Sequence, residues 1–196
     1  MIDRKTFYLC YRQLFINKLK QGQVNGFEAV FDFYENELYG TLGLSYVLAT
    51  AYHETGGTML PVREGFANSD EEAIRIVTRM YQQGRISRNY ASPDPETGKS
   101  YFGRGLVQIT HKDNYRRVGE AIKADLVNDP DLALDLRTAV RILVIGMHRG
   151  LFTGKKILDY INTENKDYHN ARRIVNGLDR AGLIAGYAER FEQCLN

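Results

Sequence analysis

Apolar positions along this chain recur mostly at spacings of three and four, the period of a helix with one buried side. Residues 3–20 place Phe7, Leu14, Phe15 and Leu19 this way, with Tyr8 and Tyr11 beside them, and predict a first helix. Residues 24–38 carry Val24, Phe27, Val30, Phe31 and Tyr34 and predict a second, ended by Gly40. The stretch "LGLSYVLATAYHE", 42–54, is apolar nearly all round, which predicts a buried central helix. Ser69-Asp70-Glu71-Glu72 reads as a capping box opening a helix through "AIRIVTRMY".

From about 84 to 103 the periodicity fails, and Gly, Ser, Asn, Pro and Asp dominate; so long a loop in a compact domain is usually functional or mobile. Helices are then expected over 112–123, 131–148, 155–161, 168–175 and 180–195. Strand alternation is confined to short extended pieces near 100–110, so the expected class is mainly α, with little or no sheet. The chain of 196 residues is read as one domain, 1–196, with no internal repeat and no separate binding module.

Composition changes this picture little. A formal charge of +2 is too weak to argue for nucleic acid, although it would not repel an anionic surface such as a bacterial wall. No run of about 18 apolar residues is present to span a membrane. The first twenty residues mix charges through their apolar positions and lack a signal-peptide core. Cys10 and Cys194 are expected to be two free thiols, a terminus-to-terminus disulfide being the alternative.

The chemistry gathers in three stretches. In "ATAYHETGG", Glu54 lies at the end of the buried helix, where desolvation and the negative end of the helix dipole both favour a protonated carboxyl. A neutral carboxyl near pH 7 is what a general acid needs; a frayed helix end capped by glycine is the competing reading. The zinc-protease pattern His-Glu-x-x-His is broken by Gly57, and the other histidines are scattered, so no metal or cofactor is expected. In "PVREGF", Glu64 sits in a loop without the dipole explanation that covers Asp70, Glu71 and Glu72; it is the first candidate for a second carboxylate, with Asp70 in reserve. In "SYFGRGLVQITHKDNY", Arg104 between two glycines is expected to point inward. Gln108 and Thr110 would share one face of an extended piece, with Asn114 and Tyr115 next to them. Neutral hydrogen-bonding side chains of this kind suit sugar hydroxyls and acetamido groups, and Thr110 could orient a water.

"YHETGG", "YFGRGLVQIT" with "DNY", and "RIVNG", in this order, resemble glycoside hydrolase family 19, which contains plant-type chitinases and many phage or bacterial endolysins. The resemblance spans roughly 42–192 and rests mainly on the "FGRG-x-x-Q-[IL]-[ST]" block. It implies an α-helical lysozyme-like core with a substrate cleft. It also implies Glu54 as general acid, with Glu64 and Thr110 handling the attacking water and inversion at the anomeric carbon. His53, Tyr101, Arg104, Gln108, Asn114 and Asn176 are the implied substrate-side residues. The second carboxylate departs from the plant pattern, because Glu64 follows Glu54 by only ten positions, a spacing that looks like the endolysin branch. The expected activity is therefore hydrolysis of the β-1,4 link of peptidoglycan by a monomer made in a host cytoplasm and released to the wall once the membrane is permeabilised. Chitin hydrolysis, transglycosylation without water, and an inactive wall-binding protein are the alternatives.

Overall fold

The computed structural model describes residues 1–15, 18–37, 39 and 41–196. Among these, seven α-helices, a few 3-10 turns and one two-stranded ladder make up the regular structure, so the fold is mainly α. The chain divides into two compact units, 1–60 with 143–196, and 61–142.

The first unit holds α1 (Arg4–Leu14), α2 (Gln21–Asn36), α3 (Leu44–Glu54) and α7 (Ala181–Leu195). Asp3 caps α1 by accepting from the Thr6 N–H at 3.0 Å. α1 is shorter than its apolar spacing predicts, ending at Leu14 with the Phe15 N–H bonded to the Tyr11 carbonyl. Phe15 instead packs its ring 4.6 Å from Phe191 of α7, and the Gln23 side chain accepts from the Lys20 N–H at 3.0 Å, opening α2 afresh. α2 stops at Asn36; Gly40, the expected terminator, lies outside the described residues.

Rings from α1, α2 and α7 form one aromatic cluster, with Phe7 4.8 Å from Phe31 and 5.2 Å from Phe27. Such rings each bury a large apolar area, and they fix α1 against α7. Cys10 on α1 and Cys194 on α7 are consequently brought to a Cα separation of 5.2 Å and are joined in a disulfide. The expectation of two free thiols is overturned by this packing, which no spacing 184 residues apart could reveal. α3 runs buried from Leu44 to Tyr52, as its all-round apolar pattern requires.

The second unit contains α4 (Asp70–Gln82), α5 (Lys112–Ile122) and an antiparallel ladder of β1 (Val62–Arg63) with β2 (Arg104–Gly105). Ser69 caps α4 as expected, accepting from the Glu72 N–H at 3.3 Å, but Glu72 reaches back to the Asn68 N–H at 2.8 Å rather than to Ser69. Residues 83–103 carry no helix or strand. They are tied down by Asp94, whose carboxylate accepts from the Thr97 N–H at 3.1 Å and from Lys112 Nζ at 2.7 Å.

The expected continuous helix over 131–148 is broken. A 3-10 turn at Pro130–Leu134 leads into α6 (Leu136–Arg149), because Asp135 adopts an extended conformation and accepts from the Thr138 N–H at 2.8 Å. The two short helices expected near 155–161 and 168–175 are single 3-10 turns, Ile157–Asp159 and Asn170–Ile174.

Candidate active site

In the first unit, α3 delivers Glu54 as its last residue. The helix end is tied by Thr55, whose hydroxyl donates to the Ala51 carbonyl at 2.7 Å and accepts from the Met59 N–H at 3.0 Å. The chain then turns at Gly56 and Gly57, with the Gly57 N–H on the Tyr52 carbonyl at 2.7 Å and its own carbonyl accepting from Gln23 Nε2 at 2.6 Å. Sequence reasoning gave Glu54 a partly desolvated carboxyl at the negative end of the helix dipole. Instead the buried Arg172 donates to Glu54 Oε1 at 2.8 Å, so an ion pair sits at the end of α3. Arg172 is held in turn by the Asp179 carbonyl at 3.2 Å.

His53 is half-buried; burial lowers its imidazole below the usual histidine range and keeps it neutral near pH 7, the opposing pull of Glu54 notwithstanding. Asn176 is exposed, and its Oδ1 accepts from the Gly177 N–H at 2.8 Å.

In the second unit, Glu64 opens a 3-10 turn immediately after β1. Its N–H donates to the Gly103 carbonyl at 2.7 Å, and its Oε2 accepts from the Gly103 N–H at 3.0 Å. A Cβ on residue 103 would lie 2.6 Å from Glu64 Oε2 and 2.7 Å from Gln108 Oε1, so glycine is what lets backbone, carboxylate and amide converge. Burial, and then the neighbouring Glu64 charge, push the Tyr90 hydroxyl up to about 12, so Tyr90 keeps its proton beside the carboxylate.

Gln108 itself is left-handed, with φ 53°, and its Nε2 donates to the carbonyls of Val62 at 2.9 Å and Gly105 at 3.2 Å. The piece around it is therefore a closed turn, with the Ile109 N–H on the Arg104 carbonyl at 3.1 Å, and not the extended stretch that alternation predicts. Thr110 and Asn114 are half-buried neighbours, the Asn114 amide donating to the Thr110 carbonyl at 2.7 Å.

Two expected substrate-side residues prove to be internal. Tyr101 is buried, its hydroxyl donating to the Val127 carbonyl at 2.9 Å. Arg104 points inward as expected, and so completely that each of its three nitrogens is bonded within the protein. It bonds Asp131 at 2.8 Å, Asp70 at 2.8 Å, the Ser100 carbonyl at 2.9 Å and the Tyr115 hydroxyl at 3.2 Å, and its guanidinium lies 3.6 Å from the Phe102 ring centre. A cation paired with two carboxylates and 1% exposed positions the turn that carries Gly103 and Gln108 and is out of reach of a sugar.

Asp70, the reserve carboxylate, is drawn into the same cluster. Burial raises its carboxyl, but hydrogen bonding from Arg63 and the charge of Arg104 outweigh that and leave it below the usual carboxylate range. Sequence reasoning missed Arg172, Tyr90 and the hold of Gly103 on Glu64. Only Gly103, inside the "FGRG" block, carried a local signal.

The mainly α fold is that of the lysozyme-like glycoside hydrolase class. Solved structures share that fold. A bacterial family 19 chitinase superposes with a TM-score of 0.61 at 20% identity, covering 100% of this chain and 95% of that one. Chitinase C from Streptomyces griseus HUT6037 gives 0.60 at 18%, covering 99% and 76%.

The family model for chitinase class I matches residues 26–142, and the chain belongs to glycoside hydrolase family 19. This match starts earlier than the motif resemblance and ends before "RIVNG", leaving Asn176 outside it. An endochitinase of Pisum sativum is 60% identical over 92 residues, 45% of this chain and 27% of the relative. Endochitinase CH25 of Brassica napus is 47% identical over 84 residues, 41% and 24%. The chain thus spans about a quarter of the length of these curated relatives.

Proposed function

We propose that this chain hydrolyses the β-1,4 link of an N-acetylated aminosugar polymer, with bacterial peptidoglycan as the substrate and wall lysis as the outcome. The observation that carries the reading is the clamp on Glu64, a carboxylate held through Oε2 by the Gly103 N–H and left otherwise free to accept a proton from water. In this reading Glu54 donates to the leaving oxygen once an arriving substrate loosens its pair with Arg172, and Glu64 activates the water, with inversion at the anomeric carbon. Thr110, Asn114, Asn176 and the neutral His53 supply polar contacts to the sugar. The enzyme acts as a monomer on the wall after the membrane is permeabilised, and the Cys10–Cys194 bridge suits an oxidising extracytoplasmic setting.

Chitin is the second reading, favoured by the endochitinase names of the relatives above. Mass spectrometry of products separates the two, with purified peptidoglycan and a chitin oligomer digested in parallel. Muropeptides with reducing N-acetylmuramic acid ends are the expected result. Cleavage of the oligomer with peptidoglycan intact makes the chain a chitinase and discards the lytic reading. Anhydro ends would replace hydrolysis by transglycosylation.

A further inference from the structure

Among the described residues, six other than glycine adopt the positive-φ backbone that glycine favours: Met59, Phe66, Gln108, His111, Lys123 and Arg180. Such conformations cost free energy for any residue with a Cβ, and most for bulky ones, so each calls for a compensating contact. Met59 is fully buried, Gln108 braces two carbonyls, and Lys123 closes the end of α5. Phe66 has no such compensation. It stands at φ 59°, directly after Gly65 at φ 62°, and its side chain is 59% exposed, with none of the ring contacts that the other phenylalanines of the core make.

The turn cannot relax this conformation, because it is clamped on both sides. Glu64 is bonded through its N–H and its carboxylate to Gly103, the Ala67 N–H returns to the Glu64 carbonyl at 3.3 Å, and Ala67 is buried in the core cluster of this unit. Beneath the turn, a Cβ on Gly65 would come 3.0 Å from the Ile76 side chain of α4, so the backbone lies close against that helix. Locally strained, apolar and out in water, Phe66 bears two costs that folding alone would remove.

We propose that Phe66 is a stacking platform for the substrate: its ring receives the apolar C–H face of a pyranose unit beside the linkage attended by Glu64. The inference rests on the aminosugar reading above and deepens it. A pyranose presents its axial hydrogens on one face, a flat apolar patch of about ring size, while its hydroxyl and acetamido groups point outward to polar partners. An exposed aromatic ring matches that face, and its burial by the sugar recovers the apolar contact that the free enzyme lacks. Because the turn holds Phe66 and Glu64 two residues apart on a rigid support, a sugar seated on the ring is registered against the carboxylate. Phe66 is thus a specificity-determining residue that binds and does not take part in proton transfer.

The test is steady-state kinetics of Phe66→Ala, Phe66→Gly and Phe66→Tyr on purified peptidoglycan and on a hexameric N-acetylglucosamine oligomer, with melting temperatures measured in parallel. Phe66→Ala should raise KM about 10-fold with kcat within about 3-fold, and Phe66→Tyr should restore KM. Phe66→Gly should melt at or above the wild-type temperature, since it relieves the strain, yet lose affinity as Phe66→Ala does. Unchanged KM in the alanine and glycine variants, with wild type active and Glu64→Gln inactive, overturns the platform and leaves the aminosugar reading standing. A wild type that cuts neither polymer overturns that reading and the platform with it.

Discussion

The two carboxylates are held by different physics. Glu54 ends a buried helix and is gripped by a charge, the Arg172 guanidinium at 2.8 Å. Glu64 lies in a turn and is gripped by a neutral group, the Gly103 N–H at 3.0 Å. A charged partner fixes a carboxylate strongly and must release it before it can carry a proton; a neutral backbone donor fixes its position while leaving it a competent base. That division suits the proposed roles, an acid that fires when substrate arrives and a base that is ready beforehand. It also means that the two sites should fail differently.

The largest effect is expected from Glu54→Gln. The amide keeps an oxygen for Arg172, so the fold should persist, with a melting temperature within a few degrees of wild type, while turnover falls about 1,000-fold or more. Reducing-sugar release and turbidity clearance read the activity, and circular dichroism reads the fold. Wild-type-like clearance by this variant would remove Glu54 from the mechanism and end the comparison.

Gly103→Ala probes the other site through its support. The atoms nearest the added methyl are the ends of two side chains, Glu64 and Gln108, which can shift, so the fold should lose little. The carboxylate, however, must move off the N–H that aims it, and a displacement of about 1 Å is enough to cost roughly 10- to 100-fold in kcat. The same change also deprives Gln108 of its place. If Gly103→Ala keeps full kcat, the clamp is ornamental and Glu64 is not the base.

What could be read in the sequence follows the range of the interaction that sets each feature. α3 and Glu54 at its end were legible because an all-round apolar run specifies a buried helix by itself. The Ser69 cap and the irregular stretch 83–103 were legible for the same reason, local composition. The Arg172–Glu54 pair joins residues 118 positions apart, and the disulfide joins residues 184 apart; neither leaves a periodic trace. Between these limits stands Arg104. Its flanking glycines showed that it turns inward, but not that Asp70, Asp131 and Tyr115 would consume its donors. Tyr101 was misread in the same way: a polar tip on a large apolar body can serve a core as readily as a sugar.

The smallest predicted effect extends the contrast from the two carboxylates to the two units, through their response to acid. In the first unit His148 is packed 4.3 Å from the Tyr39 ring and hydrogen-bonded to the Tyr34 hydroxyl at 2.9 Å, and burial pushes it down to about 4. Its unfolded value is about 6.5, so between those two values the unfolded chain binds the proton more readily, and stability is lost as the pH falls through that window. Allowing for its partial exposure, the loss is about 2 kcal/mol. In the second unit Asp94 responds to acid in the same direction but in a lower window: Lys112, and then the turn it caps, hold it down at about 2. A depressed carboxylate keeps its contribution above its unfolded value of about 3.9 and loses it only as the pH drops from there toward 2. From pH 6.5 to 4, then, the first unit should loosen while the loop of the second holds. Amide exchange expressed as protection factors at pH 6.8 and 4.5 should show α2 and the C-terminal half of α6 losing about 30-fold, with residues 104–122 nearly unchanged. His148→Gln should flatten the difference, because a side chain that cannot titrate removes the linkage whatever else it perturbs. Loosening that begins in residues 94–122 instead would reverse the assignment of acid sensitivity, and would make the Asp94–Lys112 turn the weaker of the two supports.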